Sequence, residues 1–152
     1  MVNIVLVEPK IPQNTGTIAR LCAATNAKLT LVGPLGFSLS DKYLKRAGLD
    51  YWEYVQWHHV PNTDVFFDQL DGRGRTPPFL LSSKATKQYT DMAYAPDATL
   101  IFGSETTGLP SHIKDRYASQ LITIPMENKN IRSLNLANSV SIVLYEVIRQ
   151  NR

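Results

Sequence analysis

Three loops of polar or glycine-containing sequence each follow an apolar, strand-like segment, and they are the part of the chain best suited to chemistry. They are Ser82–Lys84, Gly103–Pro110 and Pro125–Ser133. Ligands of parallel α/β sheets bind beyond the carboxyl ends of the strands, so these loops are expected to meet at one site. Gly103–Pro110 offers backbone amides, small side chains and the carboxylate of Glu105. Backbone amides and carbonyls suit an adenine ring, and a carboxylate suits a cation.

Several familiar site chemistries are disfavoured by the residues present. Ser104 follows a strand but lacks the flanking glycines of a nucleophile elbow. Gly103–Pro110 lacks the Gly-Lys-Ser/Thr end of a phosphate-binding P-loop, and no Gly-x-Gly-x-x-Gly turn follows the first strand. His58 and His59 lack the carboxylate or cysteine spacing of a metal site and are interpreted as strand-end residues. Cys22 is the single cysteine, so neither a disulfide nor a metal site is expected.

Arg20 is a further candidate for chemistry. A helix is predicted over Thr15–Thr25, with Asn14 as its N-cap. Arg20 faces away from the apolar stripe of this helix and is flanked by the small residues Gly16, Ala23 and Ala24. Small residues around one arginine indicate that a ligand or another backbone approaches closely. The helix by itself favours an ordinary solvated arginine, because arginine is mostly exposed in proteins.

A short basic helix is predicted over Asp41–Ala47, with Tyr51 and Trp52 just beyond it. Basic residues beside aromatic rings could hold a phosphate backbone and stack bases. A solvated basic helix explains the same pattern equally well. The net charge of +3 and the isoelectric point of about 9.0 permit a nucleic-acid partner without requiring one.

The elements that must position these residues alternate between strands and helices. Strands are predicted at Asn3–Val7, Lys28–Val32, Tyr54–Trp57, Phe79–Ser82, Thr99–Phe102 and Gln120–Ile124. The further helices are predicted at Asn62–Leu70, Ser111–Arg116 and Leu134–Arg149. This alternation predicts an α/β fold with a mostly parallel sheet. The last helix carries a second, half-apolar stripe, which indicates two burial partners: its own sheet and a second subunit.

The composition is typical of one ordered domain, predicted to cover residues 1–152. Of the residues, 43% are hydrophobic and 19% are charged. No apolar run reaches the roughly 20 residues needed to span a membrane. The chain begins with strand-like sequence and lacks the design of a signal peptide, so a cytoplasmic protein without a membrane partner is expected.

Three segments, taken together, resemble the three motifs of the SPOUT RNA methyltransferases of the TrmH type. They are Pro12–Arg20, Ile101–Pro110 and Ile124–Ser141, and they occur in the same order and at similar spacing. The resemblance covers nearly the whole chain and is strongest to the small, single-domain TrmL or YibK members. The segment Asp41–Tyr51 also matches that subfamily.

The resemblance implies a fold and a reaction that the residue patterns alone do not provide. The fold would be an α/β domain, with helices on both faces of the sheet and a deep C-terminal trefoil knot. The cofactor would be S-adenosyl-L-methionine. The reaction would place a methyl group on the 2′-hydroxyl of the wobble cytidine or modified uridine in the anticodon loop of certain leucine tRNAs. The enzyme would act as a homodimer that binds the anticodon stem-loop.

The resemblance also implies roles for individual residues. The positions that match cofactor contacts are Leu81, Gly103, Ile124, Met126, Ser133 and Leu134. The positions that match the catalytic group are Arg20, Asn14, Glu105, Ser133 and Asn135. Candidate RNA contacts are Lys42, Lys45, Arg46, Lys84, Lys87, Lys129 and Arg132. Two other functions remain open: an RNA-binding dimer that has lost catalysis, and a methyltransferase of the same fold that acts on ribosomal RNA.

Overall fold

The strands and helices follow the predicted alternation. The computed structural model describes residues 1–48, 51–74 and 76–152, so Leu49 and Asp50 of the Asp41–Tyr51 segment lie outside the described residues. The strands are β1 (Asn3–Val7), β2 (Lys28–Val32), β3 (Trp57–Val60), β4 (Phe79–Leu81), β5 (Thr99–Phe102) and β6 (Leu121–Ile122). The helices are α1 (Pro12–Thr25), α2 (Lys42–Gly48), α3 (Thr63–Gly72), α4 (Ser111–Arg116) and α5 (Leu136–Gln150). Short 3₁₀ turns occupy Trp52–Tyr54, Tyr89–Asp91 and Ala118–Gln120.

The strands form one sheet in the order β3-β2-β1-β5-β4-β6, and every pairing recorded among the described strands is parallel. The predicted parallel α/β sheet is therefore confirmed. Because the strands are parallel, the loops after β4, β5 and β6 leave the same edge of the sheet. No helix in the described parts of the chain is long and apolar enough to cross a membrane.

Helices cover both faces of the sheet. Alternate residues of β1 enter two separate apolar clusters, since successive side chains of a strand point to opposite faces. Ile4 and Leu6 lie in the cluster that contains the buried faces of α1 and α5. Val5 and Val7 lie in the cluster formed with α3 and α4. The site-bearing helices α1 and α5 thus share one face of the sheet.

The third strand was predicted three residues too early. Tyr54 lies in a 3₁₀ turn, and β3 runs over Trp57–Val60, where Trp57 pairs with Leu29 of β2. The pairing with β2 decides the position, because the local sequence carries little apolar alternation. His58 and His59 therefore lie inside the strand rather than after it. His59 Nε2 lies 2.8 Å from the carbonyl oxygen of Gly33, which gives this histidine a structural contact.

Four helices begin at residues other than those predicted, and the shifts of α1 and α5 affect residues of the predicted site. α1 starts at Pro12, with Ile11 at the N-cap position, so Asn14 is inside the first turn and is not the cap. Proline suits a first helical position because its missing N–H would be unpaired there in any case. α5 starts at Leu136, after Asn135, and Leu134 stays in the preceding loop. The first shift leaves the Asn14 side chain free of a capping role, and the second makes Asn135 the cap of α5.

Asp71 joins α3 to the end of α4 and makes the stability of the fold sensitive to acid. The Tyr117 hydroxyl donates to Asp71 Oδ1, and Arg116 Nε donates to Asp71 Oδ2 at 3.1 Å. These hydrogen bonds lower the pKa of Asp71 from its usual 3.8. A lowered folded pKa means that the stabilisation is present above the unfolded pKa and is lost as the pH falls through the folded pKa.

We therefore expect Asp71→Asn to flatten the acid limb of the stability curve. The melting temperature of the wild type should fall more steeply than that of the variant below about pH 4. Thermal melts followed by circular dichroism between neutral and acidic pH measure this difference. The exposed Asp115 of α4 provides the matched control, and equal acid slopes for Asp71→Asn and wild type would contradict the assignment.

Candidate active site

A cavity of about 500 Å³ lies at the edge of the sheet formed by the carboxyl ends of the strands. Its walls come from the loops after β4, β5 and β6 and from the residues that lead into α5. The three polar loops predicted from the sequence thus meet at one place. A volume of this size is typical of sites for nucleoside-sized ligands.

Nearly all the predicted site residues line this cavity. The lining includes every predicted cofactor contact: Leu81, Gly103, Ile124, Met126, Ser133 and Leu134. It also includes the predicted catalytic positions Asn14, Glu105 and Asn135, together with Ser133. The structure therefore brings together residues from four distant segments of the chain. Arg20 is the exception and is described below.

Gly103 lies in the cavity wall, where two stretches of backbone approach closely. After β5 the chain folds back on itself, and Gly108 N donates to the Ser104 carbonyl at 2.9 Å. A Cβ atom built on Gly103 would overlap the backbone of Gly108 and Leu109. A glycine is required here because the contact is with backbone, which cannot move aside as a flexible side chain could.

Ser104 shapes the same loop and is not a nucleophile. It is buried, and its hydroxyl accepts hydrogen bonds from the backbone amides of Thr106 and Thr107, each at 3.3 Å. No histidine lines the cavity among the described residues.

Cys22 is also unsuited to act as a nucleophile, because burial raises the pKa of its thiol to about 12. No group of three potential metal ligands occurs in the described parts of the chain.

The Glu105 carboxylate binds the backbone at the start of α1. It accepts hydrogen bonds from the backbone amides of Lys10 at 2.8 Å and Ile11 at 3.1 Å, and from Asn14 Nδ2 at 3.3 Å. Lys10 and Ile11 lie directly before the first residue of α1, and a carboxylate at the start of a helix interacts favourably with the helix dipole. Glu105 therefore orders one wall of the cavity by binding a segment that is far away in sequence.

We expect Glu105→Ala to destabilise the fold by about 1–2 kcal/mol, the range measured for the loss of helix caps. Glu105→Gln keeps one acceptor oxygen and should lose less. Urea denaturation of both variants measures the difference. If Glu105→Ala unfolds at the wild-type midpoint, the carboxylate does not hold α1, and a purely chemical role becomes the better explanation.

Asn14 and Asn135 connect the two helices that flank the cavity. Asn135 Nδ2 donates to Asn14 Oδ1 at 3.1 Å, while Asn135 Oδ1 accepts from the backbone amide of Asn138 at 3.2 Å and so caps α5. Together with the bond from Asn14 to Glu105, this forms a continuous chain from the loop after β5 to the start of α5. Three of the predicted polar positions, Asn14, Glu105 and Asn135, thus form one hydrogen-bonded unit.

Arg20 does not line this cavity. It lies six residues beyond Asn14, about 9 Å further along α1 and on another side of the helix. Its guanidinium carbon is 4.8 Å from the centre of the Tyr51 ring, over which the cation stacks. The groove there is lined by Arg20, Ala23, Ala24, Tyr51 and Tyr54. The small residues noted in the sequence therefore border an open groove.

Sequence reasoning missed several residues of the cavity wall. Thr123, Ser139 and Lys114 all line it, although none was among the predicted site residues. Ser139 lies within the Ile124–Ser141 segment and Thr123 directly precedes it, so the sequence did point to this part of the chain. Lys114 lies on α4 and had no signal, because an isolated basic residue near the end of a short helix usually faces solvent.

The sequence is similar to known proteins over nearly its whole length. A family model described as the SpoU rRNA Methylase family matches residues 1–145. A protein from Synechocystis sp. is 50% identical over 154 residues, covering 100% of this chain and 98% of its own. A Yersinia pestis protein named tRNA (cytidine(34)-2′-O)-methyltransferase is 47% identical over 153 residues, covering 99% of this chain and 94% of its own.

Solved structures agree with these relatives. One that concerns the 2-OH methylation of C/U34 on tRNA superposes with a TM-score of 0.90 at 38% identity, over 99% of this chain and 96% of the other. The methyltransferase AviRb from Streptomyces viridochromogenes, in complex with the cofactor AdoMet, superposes with a TM-score of 0.80 at 25% identity. That match covers 98% of this chain and 57% of AviRb.

Proposed function

Because the chain belongs to the SpoU methylase family, we propose that it is a tRNA 2′-O-ribose methyltransferase. It transfers a methyl group from S-adenosyl-L-methionine to the 2′-hydroxyl of the wobble nucleotide, cytidine or modified uridine, in the anticodon loop. The observation that carries this proposal is the single cavity in which the residues of three polar loops converge. A tRNA substrate also makes the cytoplasm the expected place of action.

Full-length similarity favours tRNA over ribosomal RNA as the substrate. The relatives that share 42–50% of residues over nearly their whole length carry names for methylation at cytidine 34 of tRNA. A ribosomal RNA methyltransferase from Sinorhizobium meliloti is 27% identical, and this chain covers 56% of it. We extend the proposal to leucine tRNAs, as the subfamily resemblance implies.

The residues of the cavity fit S-adenosylmethionine. The close approach of Gly103 to the backbone of Gly108 and Leu109 fixes the shape of this wall, which all three residues line. Leu81, Ile124 and Leu134 offer apolar surface to a flat ring, and backbone amides and carbonyls nearby can read its edge. When bound, the cofactor supplies an electrophilic methyl group on a sulfonium. Ser133 and Asn135, at the entrance to α5, are proposed to orient the incoming ribose.

We assign Arg20 to the cavity of a second subunit. Within one chain it lies in a separate groove, so a catalytic role requires another copy to present it. The protein is accordingly proposed to be a homodimer. The second apolar stripe of α5 supports such an interface, since Tyr145 is 51% exposed in the single chain and Ile142, one turn earlier, is only half-buried.

Arg20 is proposed to act as an electrostatic clamp. A guanidinium stays protonated in proteins and is therefore a poor base. It can bind the phosphate beside the target ribose and stabilise negative charge as it develops on the 2′-oxygen. The main contribution of the other residues is alignment of the hydroxyl with the methyl group, a proximity effect.

The C-terminal trefoil knot remains part of the proposal. Its support is the path of the segment that follows β6. Thr123 donates its amide to the Lys87 carbonyl at 2.8 Å and accepts from the Tyr89 amide at 2.9 Å, so it runs beside the loop after β4. The end of α5 then bonds back to that loop, because Gln150 Nε2 donates to the Met92 carbonyl at 2.9 Å. Contacts of this loop with both the segment after β6 and the end of α5 are what such a knot requires.

RNA is proposed to bind along basic side chains near the cavity. Lys84 and Arg132 line the cavity itself, and Lys87 donates to the Ser119 carbonyl at 3.0 Å. The remaining candidates are exposed: Lys42, Lys45, Arg46 and Lys129. Phosphate contacts of this kind make affinity depend strongly on salt.

The proposed function is tested with tRNA purified from cells that lack this gene, so that any required earlier modification is already present. The protein and S-adenosylmethionine should make one wobble ribose resistant to alkaline cleavage and add the mass of a methyl group to that nucleotide. Mass spectrometry of the anticodon fragment measures both changes. Methylation of ribosomal RNA but not tRNA would replace the substrate. RNA binding without cofactor binding would support the alternative of a binding module.

A further inference from the structure

Lys114 is a cationic residue in the cavity wall that the proposed function leaves without a role. It lies in the middle of α4, is half-buried, and lines the same cavity as Gly103 and Leu134. Arg116, two residues later on the same helix, faces α3 and is paired with Asp68 and Asp71. The two cations of α4 thus differ, since one is neutralised by α3 and the other faces the cavity.

Cationic side chains outnumber carboxylates among the described residues that line the cavity. Lys84, Lys114 and Arg132 line the cavity, and Glu105 is the one carboxylate among the described lining residues. Its oxygens already accept hydrogen bonds from two backbone amides and from Asn14. No ion pair is recorded for Lys114 within the described ranges of the chain.

A half-buried ammonium has lost part of its hydration, and an anion that enters the cavity can restore the lost interactions. Lys84 and Arg132 are exposed and can be solvated where they are. Lys114 is the member of the three that gains most from an anionic partner. The expected ligand group is an oxyanion, because an ammonium is a compact charge with three donors that suits carboxylate and phosphate oxygens.

We propose that Lys114 is an anion-binding residue of the active site, which holds either the carboxylate at the amino-acid end of the cofactor or a phosphate of the bound RNA. This inference rests on the proposed function, since that function supplies both anions. In either case Lys114 contributes to binding specificity and does not take part in the transfer of the methyl group.

The two sources are separated with a pair of related ligands. S-adenosylhomocysteine carries the carboxylate, and 5′-methylthioadenosine shares the adenosine part but lacks the amino-acid end. Their affinities are measured by calorimetry for the wild type, Lys114→Met and Lys114→Arg. Lys28→Met serves as the matched control, because Lys28 is half-buried at the start of β2, on the opposite edge of the sheet. The KM for tRNA is measured with the same proteins at several salt concentrations.

If the partner is the carboxylate, Lys114→Met should lower the affinity for S-adenosylhomocysteine by about fivefold, as expected for the loss of one partly buried ion pair. The affinity for methylthioadenosine should not change. If the partner is a phosphate, both small ligands should bind as before. The KM for tRNA should then rise by a similar factor, and the logarithmic salt slope should fall by about one. Lys114→Arg should largely restore the affected quantity in either case.

The inference is overturned if Lys114→Met changes the affinity for S-adenosylhomocysteine and the KM for tRNA no more than Lys28→Met does. That result leaves the proposed function intact, because both ligands still bind. If the wild type binds neither S-adenosylhomocysteine nor tRNA, the proposed function fails, and this inference fails with it.

Discussion

Replacing Gly103 with valine should abolish the binding of S-adenosylhomocysteine. A side chain at this position overlaps the backbone of Gly108 and Leu109, so the loop after β5 must open or shift into the cavity. Overpacking of this kind costs about 1–3 kcal/mol or more. Because the distortion lies in the cavity wall itself, the affinity for S-adenosylhomocysteine should fall by about 100-fold or more. Calorimetric titration of the wild type and of Gly103→Val measures the change.

Gly72 provides the matched control for this experiment. It ends α3, and a Cβ atom there would meet nothing within 4 Å, so Gly72→Ala should bind the ligand as the wild type does. Circular dichroism separates a local change from general unfolding. A folded Gly103→Val protein that binds S-adenosylhomocysteine with wild-type affinity would contradict the assignment of this cavity to the cofactor.

Replacing Arg20 with alanine should lower kcat by about 100-fold to 1,000-fold, the range measured when one group that stabilises developing negative charge is removed. Cofactor affinity should not change, because Arg20 is proposed to act on the target ribose and its phosphate and not on the cofactor. Single-turnover methylation of tRNA and calorimetry with S-adenosylhomocysteine measure the two quantities. Arg20→Lys should retain part of the activity if charge alone is needed. A lysine variant as inactive as the alanine variant would point instead to the bidentate geometry of arginine.

Mixing two inactive variants tests which subunit supplies Arg20 to each cavity. Arg20→Ala keeps an intact cavity, and Gly103→Val keeps an intact arginine. If the partner's Arg20 completes each cavity, random exchange of subunits should restore about a quarter of the wild-type activity, because half of the dimers then contain one complete site. If each chain used its own arginine, the mixture would stay inactive. This second outcome would overturn the shared site while leaving the cofactor assignment standing.

Much of the fold follows from local sequence patterns. Short apolar segments such as Asn3–Val7 and Thr99–Phe102 form the predicted strands with the predicted bounds, because burial on both faces of a parallel sheet leaves a strong apolar signal. α4 also lies where it was predicted. The third strand was placed wrongly, since its exposed residues carry no such signal and its position depends on pairing with β2.

The candidate site could be predicted in outline for a similar reason. Parallel strands send their carboxyl ends to one edge, so the alternation of strands and helices already brings the three polar loops together. The motif resemblance then supplied residue roles, and most of those residues line one cavity. Lys114 could not be found in this way, because its position depends on how α4 is rotated against the sheet.

By itself, the sequence determined the parallel α/β fold, the loops that line the cavity and the residues that could act there. Only the tertiary structure decided how those residues are used. Glu105, and not Asn14, serves the start of α1, and the amide of Lys10 that it binds is 95 residues away in the chain. Arg20 is turned away from the cavity of its own chain. Both outcomes depend on contacts between distant segments, whereas hydrophobic periodicity and turn chemistry record only the conformation of near neighbours.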